Sequence, residues 1–287
     1  MKAKGKVIFF GEHAVVYGYT ALSLPINLST NVNIKKNDNL VIELKNLNKK
    51  LGFEEAKKDK DFRYVIKAIE LLKVKEPFFL SVSSELPVSC GLGSSASVVV
   101  ATIRALSKFF NLNLPKKEIA KLSHRVEREV QGKASITDTY TISYERALKI
   151  RNNEFSFIDE FEKTVREEKL YIAYVEEREM KTADLIKVVS EKEEKEEIFK
   201  EIEEITREAL SSDVERIKEL MLENHKLLDK LGVSTKGLNR VVRLAKKFGC
   251  GAKLTGAGGG GCVIILGDLN EEEKELIEKI VKSLYLA

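Results

Sequence analysis

Three short segments combine residue types that chemistry or very close packing would demand. The first is Pro87-Val88-Ser89-Cys90-Gly91-Leu92-Gly93-Ser94-Ser95-Ala96-Ser97, followed at once by an apolar stretch. Its glycines permit positive φ and let backbone N–H groups converge, and a helix N-terminus adds about half a positive charge there. Such a nest suits a polyphosphate, although a tight loop with an N-capping serine would use the same residues. It is neither a GxxxxGK[ST] loop nor a GxGxxG dinucleotide fingerprint. The second, Lys253-Leu254-Thr255-Gly256-Ala257-Gly258-Gly259-Gly260-Gly261-Cys262, contains six consecutive positions with almost no side chain. A simple turn needs far fewer, so close approach to another backbone or to a ligand is the expected cause. The third is Lys6-Val7-Ile8-Phe9-Phe10-Gly11-Glu12-His13-Ala14-Val15-Val16-Tyr17-Gly18, where a Gly-Glu-His turn ends an apolar strand. No HExxH-like pairing accompanies His13, so nothing suggests a metal-bound histidine.

These segments need elements to position them. Residues 6–10, β-branched and aromatic, predict a strand feeding the Gly-Glu-His turn. Phe62, Val65, Ile66, Ile69 and Leu72 have helical spacing over 61–73, and 78–83 predicts a strand leading to the first glycine-rich segment. Residues 95–110 are apolar around most of a helical circumference, which predicts a buried central helix opening on the serines. Pro115 and Gly132 bracket a second helix with Ile119, Leu122, Val126 and Val130 as its buried stripe. Glu127 falls about 100° from the centre of that stripe, where it could line a cleft or face water. Asp138 sits among small polar residues between Gly132 and Tyr144, as a turn residue or part of a site.

Beyond about residue 150 charged helix formers dominate, and the Glu191–Glu197 run reads as a solvated helix face or exposed turn. Ser212 and Glu215 predict a capping box opening a helix that stops at Gly232. A strand at Cys262–Leu266 and a helix near 271–284 close the chain. The change in pattern near residue 150 gives an expected division into two domains, 1–150 and 151–287.

A chain of 287 residues, 43% hydrophobic and 33% charged, can build two packed cores under a polar surface. The net charge of +4 comes without a long basic tract, which argues against nucleic acid as a partner. The basic start precedes only four apolar residues, too few for a signal peptide or a membrane span. No later stretch is long enough either, so a cytoplasmic protein with no membrane partner is expected. Three cysteines without CxxC spacing read as free thiols, not as a disulfide framework or a zinc site.

In their order along the chain, 6–18, 87–97 and 253–262, the three segments resemble the signature motifs of the galactokinase–homoserine kinase–mevalonate kinase–phosphomevalonate kinase (GHMP) superfamily. Gly11 to Gly18 is similar to the form used by its mevalonate kinases; galactokinases typically continue Gly-Glu-His with Thr-Asp, and homoserine kinases lack the turn. The likeness runs from Lys6 to about Leu266, with no strong signature near 35–60 or 150–205. It implies a two-domain α+β fold, an N-terminal ribosomal-protein-S5-like half and a C-terminal ferredoxin-like half with the active site in the cleft between them. It also implies transfer of a phosphoryl group from ATP to the C5 hydroxyl of mevalonate, with Mg²⁺. On this resemblance Pro87 to Ser97 hold the nucleotide, Ser95 and Glu127 hold Mg²⁺, and Asp138 accepts the hydroxyl proton beside Lys6. Glu12, His13, Thr182 (in Lys181-Thr182) and Gly258 attend the substrate, and a homodimer is an assembly the resemblance allows. Two rivals are another GHMP kinase, phosphomevalonate kinase first, and an inactive ligand-sensing relative. Intact Lys6, Ser95, Glu127 and Asp138 argue against the second.

Overall fold

The computed structural model describes residues 1–287 except Ser89, Lys133, Glu179 and Lys181, and Ala183 only in its backbone. The chain begins with β1 (Lys2–Phe10), β2 (Ala21–Lys36), β3 (Val41–Leu44), β4 (Lys49–Gly52), α1 (Phe53–Ala56), α2 (Arg63–Leu72) and β5 (Phe78–Ser84). Next come α3 (Ser94–Phe109), α4 (Lys116–Gln131), α5 (Ile136–Tyr144), β6 (Leu148–Arg151), β7 (Glu154–Phe157), α6 (Asp159–Val165) and β8 (Leu170–Glu176). The remainder is α7 (Thr182–Ser190), α8 (Lys195–Ala209), α9 (Val214–Lys230), α10 (Lys236–Lys247), β9 (Gly251–Thr255), β10 (Gly261–Leu266), α11 (Glu271–Glu278) and β11 (Ser283–Leu286).

This is a two-domain α+β fold. One compact unit comprises Met1–Lys6, Pro25–Leu86 and Gly93–Glu145; the other comprises Val7–Leu24, Pro87–Leu92 and Arg146–Ala287. A single cut near 150 differs from this division, because β1, β2 and the 87–97 segment each contribute residues to both units.

In the first unit the later part of β2 pairs antiparallel with β5, β5 pairs parallel with β3, and β3 pairs antiparallel with β4. Phe62, Val65, Ile69, Phe78, Leu80, Val99, Val100, Ile103 and Leu106 form its core. Burial around most of α3 follows from its nearly all-round apolar sequence. In the second unit the start of β2 pairs with β6 and β6 with β7. A separate antiparallel sheet runs β11-β8-β10-β9, and every residue of β9 and β10 is buried.

Two expectations change. Asp213, not Ser212, caps α9: its carboxylate accepts from Arg216 N at 2.9 Å, while Ser212 donates back to Glu208 O at 2.9 Å. The capping box found here lies at Asn270 and Glu273 of α11. That helix stops at Glu278, and Ser283–Leu286 pair with β8, because alternating Ser-Leu-Tyr-Leu fits a strand better than a helix. Among the described residues no helix is long and apolar enough to cross a membrane, and the three cysteines are buried free thiols.

Candidate active site

Four sequence-predicted residues meet in the first unit. β1 delivers Lys6, whose side chain is 3% exposed and whose Nζ lies 2.9 Å from Asp138 Oδ1. Asp138 stands in the first turn of α5, and the Ser135 hydroxyl caps that turn by accepting from Thr137 N at 3.2 Å. α3 begins immediately after Gly93. A Cβ on Gly93 would stand 3.1 Å from Lys6 Cγ and 3.1 Å from Ile142 Cδ1, so glycine there leaves room for the lysine stem. In the first turn of α3, Ser95 Oγ donates to Glu127 Oε1 at 2.9 Å. Glu127, on α4, is buried and not at an open stripe edge.

Burial first, and then the negative charge of Asp138, push the Glu127 carboxyl up to about 8; Ser95 and Lys6 oppose this without offsetting it. A carboxylate so placed is short of positive charge. Ser95 and Glu127 supply two hard oxygens, and among the described residues no three or more His, Cys, Asp or Glu side chains cluster as a metal cage. That donor set fits Mg²⁺, which keeps few protein ligands and completes its shell with phosphate and water oxygens.

The second unit uses its charged residues differently. Glu12 and Lys253 are both wholly buried and form an ion pair, and Lys253 Nζ also donates to Leu254 O at 2.8 Å. Burial pushes the Lys253 ammonium down, and the Glu12 carboxylate resists that shift. A fully buried Glu12 can affect a ligand only through what it holds in place. His13 has φ 61° and donates from Nε2 to Ala257 O at 2.8 Å, which fixes the proton on that nitrogen. Burial lowers its pKa, the Ala257 bond resists, and the Arg178 charge lowers it further.

The glycine-rich 256–261 run answers to backbone contact. Gly258 has φ 77°, and a Cβ there would stand 2.1 Å from Val233 O. Gly261 likewise faces Cys90, where a Cβ would meet Cys90 O at 3.0 Å.

Sequence reading missed Arg178. Its Nη1 donates to Thr182 Oγ1 at 3.0 Å, and its Nη2 lies 3.4 Å from where a Cβ on Gly91 would stand and 3.7 Å from that of Gly256. A lone arginine in a stretch of Lys and Glu leaves no periodic signal that could have singled it out. Thr182 itself is exposed at the start of α7. In the 87–97 segment Val88 is 71% exposed, whereas Leu92 and Ala96 are buried. Ser97 is fully buried and donates to Ala3 O at 2.8 Å, so its hydroxyl is committed to holding β1 and not offered to a nucleotide. Ser89 and Lys181 lie outside the described residues.

Known proteins resemble this chain along most of its length. The GHMP kinases N terminal domain model matches residues 63–146, and the GHMP kinases C terminal model matches 198–286. The mevalonate kinase of Methanocaldococcus jannaschii is 48% identical, covering 98% of this chain and 96% of its own. That of Saccharolobus solfataricus is 36% identical over 93% of this chain and 89% of its own. The crystal structure of the Methanococcus jannaschii mevalonate kinase matches with a TM-score of 0.90 at 44% identity, over 100% of this chain and 96% of that one.

Proposed function

The chain belongs to the GHMP kinases and within them to the mevalonate kinases, and from that premise we propose the parts its residues play in phosphoryl transfer. The reaction moves the γ-phosphoryl group of ATP to the C5 hydroxyl of mevalonate, giving 5-phosphomevalonate and ADP. Phosphoryl transfer asks a protein mainly for positioning and charge stabilisation. Asp138 accepts the proton of the hydroxyl as that oxygen attacks. Lys6, held at 2.9 Å from Asp138, offsets charge on the same oxygen. That contact carries the reading, because it joins a base and a cation from distant parts of the chain at the edge of a buried site.

The N-terminal turn of α3 and the 87–97 backbone bind the polyphosphate. Ser95 and Glu127 would hold Mg²⁺, which would supply positive charge to offset that of the polyphosphate. Glu12 positions the acceptor indirectly, by anchoring the turn that carries His13. Arg178 supplies a further cation beside Gly91 and Gly256. The 1–150 part of the chain carries most of the nucleotide contacts, and the cytoplasm is the compartment that three free thiols suit.

A coupled ADP-release assay against mevalonate, phosphomevalonate, homoserine, galactose and shikimate tests the substrate assignment. Mevalonate should give the highest kcat/KM. A higher value for any other acceptor overturns the assignment and leaves the kinase chemistry standing.

A further inference from the structure

Lys6, Asp138 and Ser95 ride on three different elements, β1, α5 and α3, and one side chain of α3 grips the other two. Arg104 of α3 is 10% exposed. Its Nη1 donates to Lys2 O of β1 at 2.8 Å and contacts the Glu145 carboxylate just past α5. Its Nη2 donates to Ile142 O at 3.3 Å and to Ser143 O at 2.9 Å, satisfying carbonyls in the last turn of α5 that have no intrahelical partner. Seven residues earlier, on the same face of α3, Ser97 holds the neighbouring Ala3 carbonyl.

We infer that Arg104 is a positioning residue for phosphoryl transfer, setting β1 against α5 and thereby the contact between Lys6 and Asp138. Lys2 precedes Lys6 by four residues, about 13 Å along a strand, and Ser143 follows Asp138 by five, about 8 Å along a helix. A slip at either grip is therefore passed along a rigid element to the reacting pair. Capping α5 alone would need one donor. A planar fork with five donors is the side chain able to grip β1 and α5 together, and lysine cannot replace it.

The inference rests on the reading of Lys6 and Asp138 given above, and a double-mutant cycle separates the two. Arg104→Met should lower kcat by between about tenfold and 10²-fold, as a misplacement near 1 Å can, with KM for ATP and mevalonate little changed. Arg104→Lys, which keeps stem and charge and so should fold, should lose nearly as much kcat. Added guanidinium should restore part of the kcat of Arg104→Ala. In the Lys6→Met background, Arg104→Met should cost much less than it does alone, because the misplaced contact is already gone. Fully multiplicative losses, or an Arg104→Lys enzyme of normal kcat with only a lower melting temperature, overturn the positioning role. A Lys6→Met enzyme of normal kcat overturns the reading of the site itself, and the inference falls with it.

Discussion

In the second unit Glu12 and Lys253 are each fully buried and neutralise one another, whereas in the first Glu127 is almost as buried and relies on the Ser95 hydroxyl. The Glu12–Lys253 arrangement is closed: two opposite charges offset one another inside the protein. The Glu127 arrangement is open, and the carboxyl responds by rising to about 8. A buried carboxylate whose burial is not offset by its neighbours costs stability, and its persistence beside Lys6 and Asp138 supports the proposed metal and nucleotide site. Chemistry and scaffolding are thus told apart by how each buried charge is balanced, more than by which residues are charged.

The sharpest way to break this comparison is to remove the proposed base. Asp138→Asn is nearly isosteric, so the fold and the Kd for nucleotide should survive while proton acceptance is lost. A positioned general base contributes about 10²–10⁴ in rate, and kcat should fall by at least about 10². Nucleotide titration and ADP release on the same preparation check both halves. Retention of most activity would reduce Asp138 to a first-turn residue of α5 and leave charge stabilisation to Lys6.

The closed pair should fail in the opposite way. Lys253→Met strands the Glu12 carboxylate in the interior, which typically costs about 3–5 kcal/mol. Chemical denaturation should show that loss, and Glu12→Gln combined with Lys253→Met should recover much of it. Should Lys253→Met instead keep its unfolding midpoint and lose kcat, the pair belongs to the chemistry and the contrast collapses.

A smaller effect separates two glutamates of α4. Glu127→Gln should weaken Mg²⁺ dependence and lower activity by at least about tenfold. Glu129 is turned about 200° away on the helix and is held by Lys67 at 2.8 Å and Arg125 at 2.7 Å. Glu129→Gln should leave Mg²⁺ titrations of the kinase rate unchanged. Equal responses would mean that burial and raised pKa had pointed to the wrong carboxylate.

What the sequence made legible follows the same contrast. The 87–97 and 253–262 segments stood out because backbone crowding leaves a mark in residue type: glycine where a Cβ would collide. Glu127 and Asp138 were visible only through resemblance, since a lone glutamate on a helix and a lone aspartate in a polar run look ordinary. The Glu12–Lys253 pair spans 241 residues, and neither member carries a local pattern that announces the other. Arg104 was hidden for another reason. It interrupts an apolar helix, and nothing in its neighbours says that the acceptors for its fork come from β1 and the end of α5. The C-terminal error was also local: a helical start at Glu271 was extended through residues whose pairing with β8 could not be seen from spacing alone.

The smallest predicted effect compares two helix caps, one in each unit. Ser135 caps α5 and Asp213 caps α9, each by accepting a backbone N–H of the first turn. Removing either side chain with alanine should cost about 1 kcal/mol of stability, so the two variants should melt at similarly lowered temperatures. Their kinetics should differ. Asp138 lies in the very turn that Ser135 caps, so fraying there moves the base. Ser135→Ala should lower kcat by roughly two- to tenfold, short of the 10² that a full 1 Å misplacement can cost. The turn that Asp213 caps carries no residue of the site, and Asp213→Ala should keep its kcat per folded molecule. Ser212→Ala is the control, because that hydroxyl donates to Glu208 O at the end of α8, a carbonyl that also accepts from Ser211 N, and does not touch the first turn of α9; it should change melting little and leave the rate as it is. A loss of kcat in Asp213→Ala matching that in Ser135→Ala would show that the rate simply follows stability, and the division between an open reacting group and a closed scaffold would not hold.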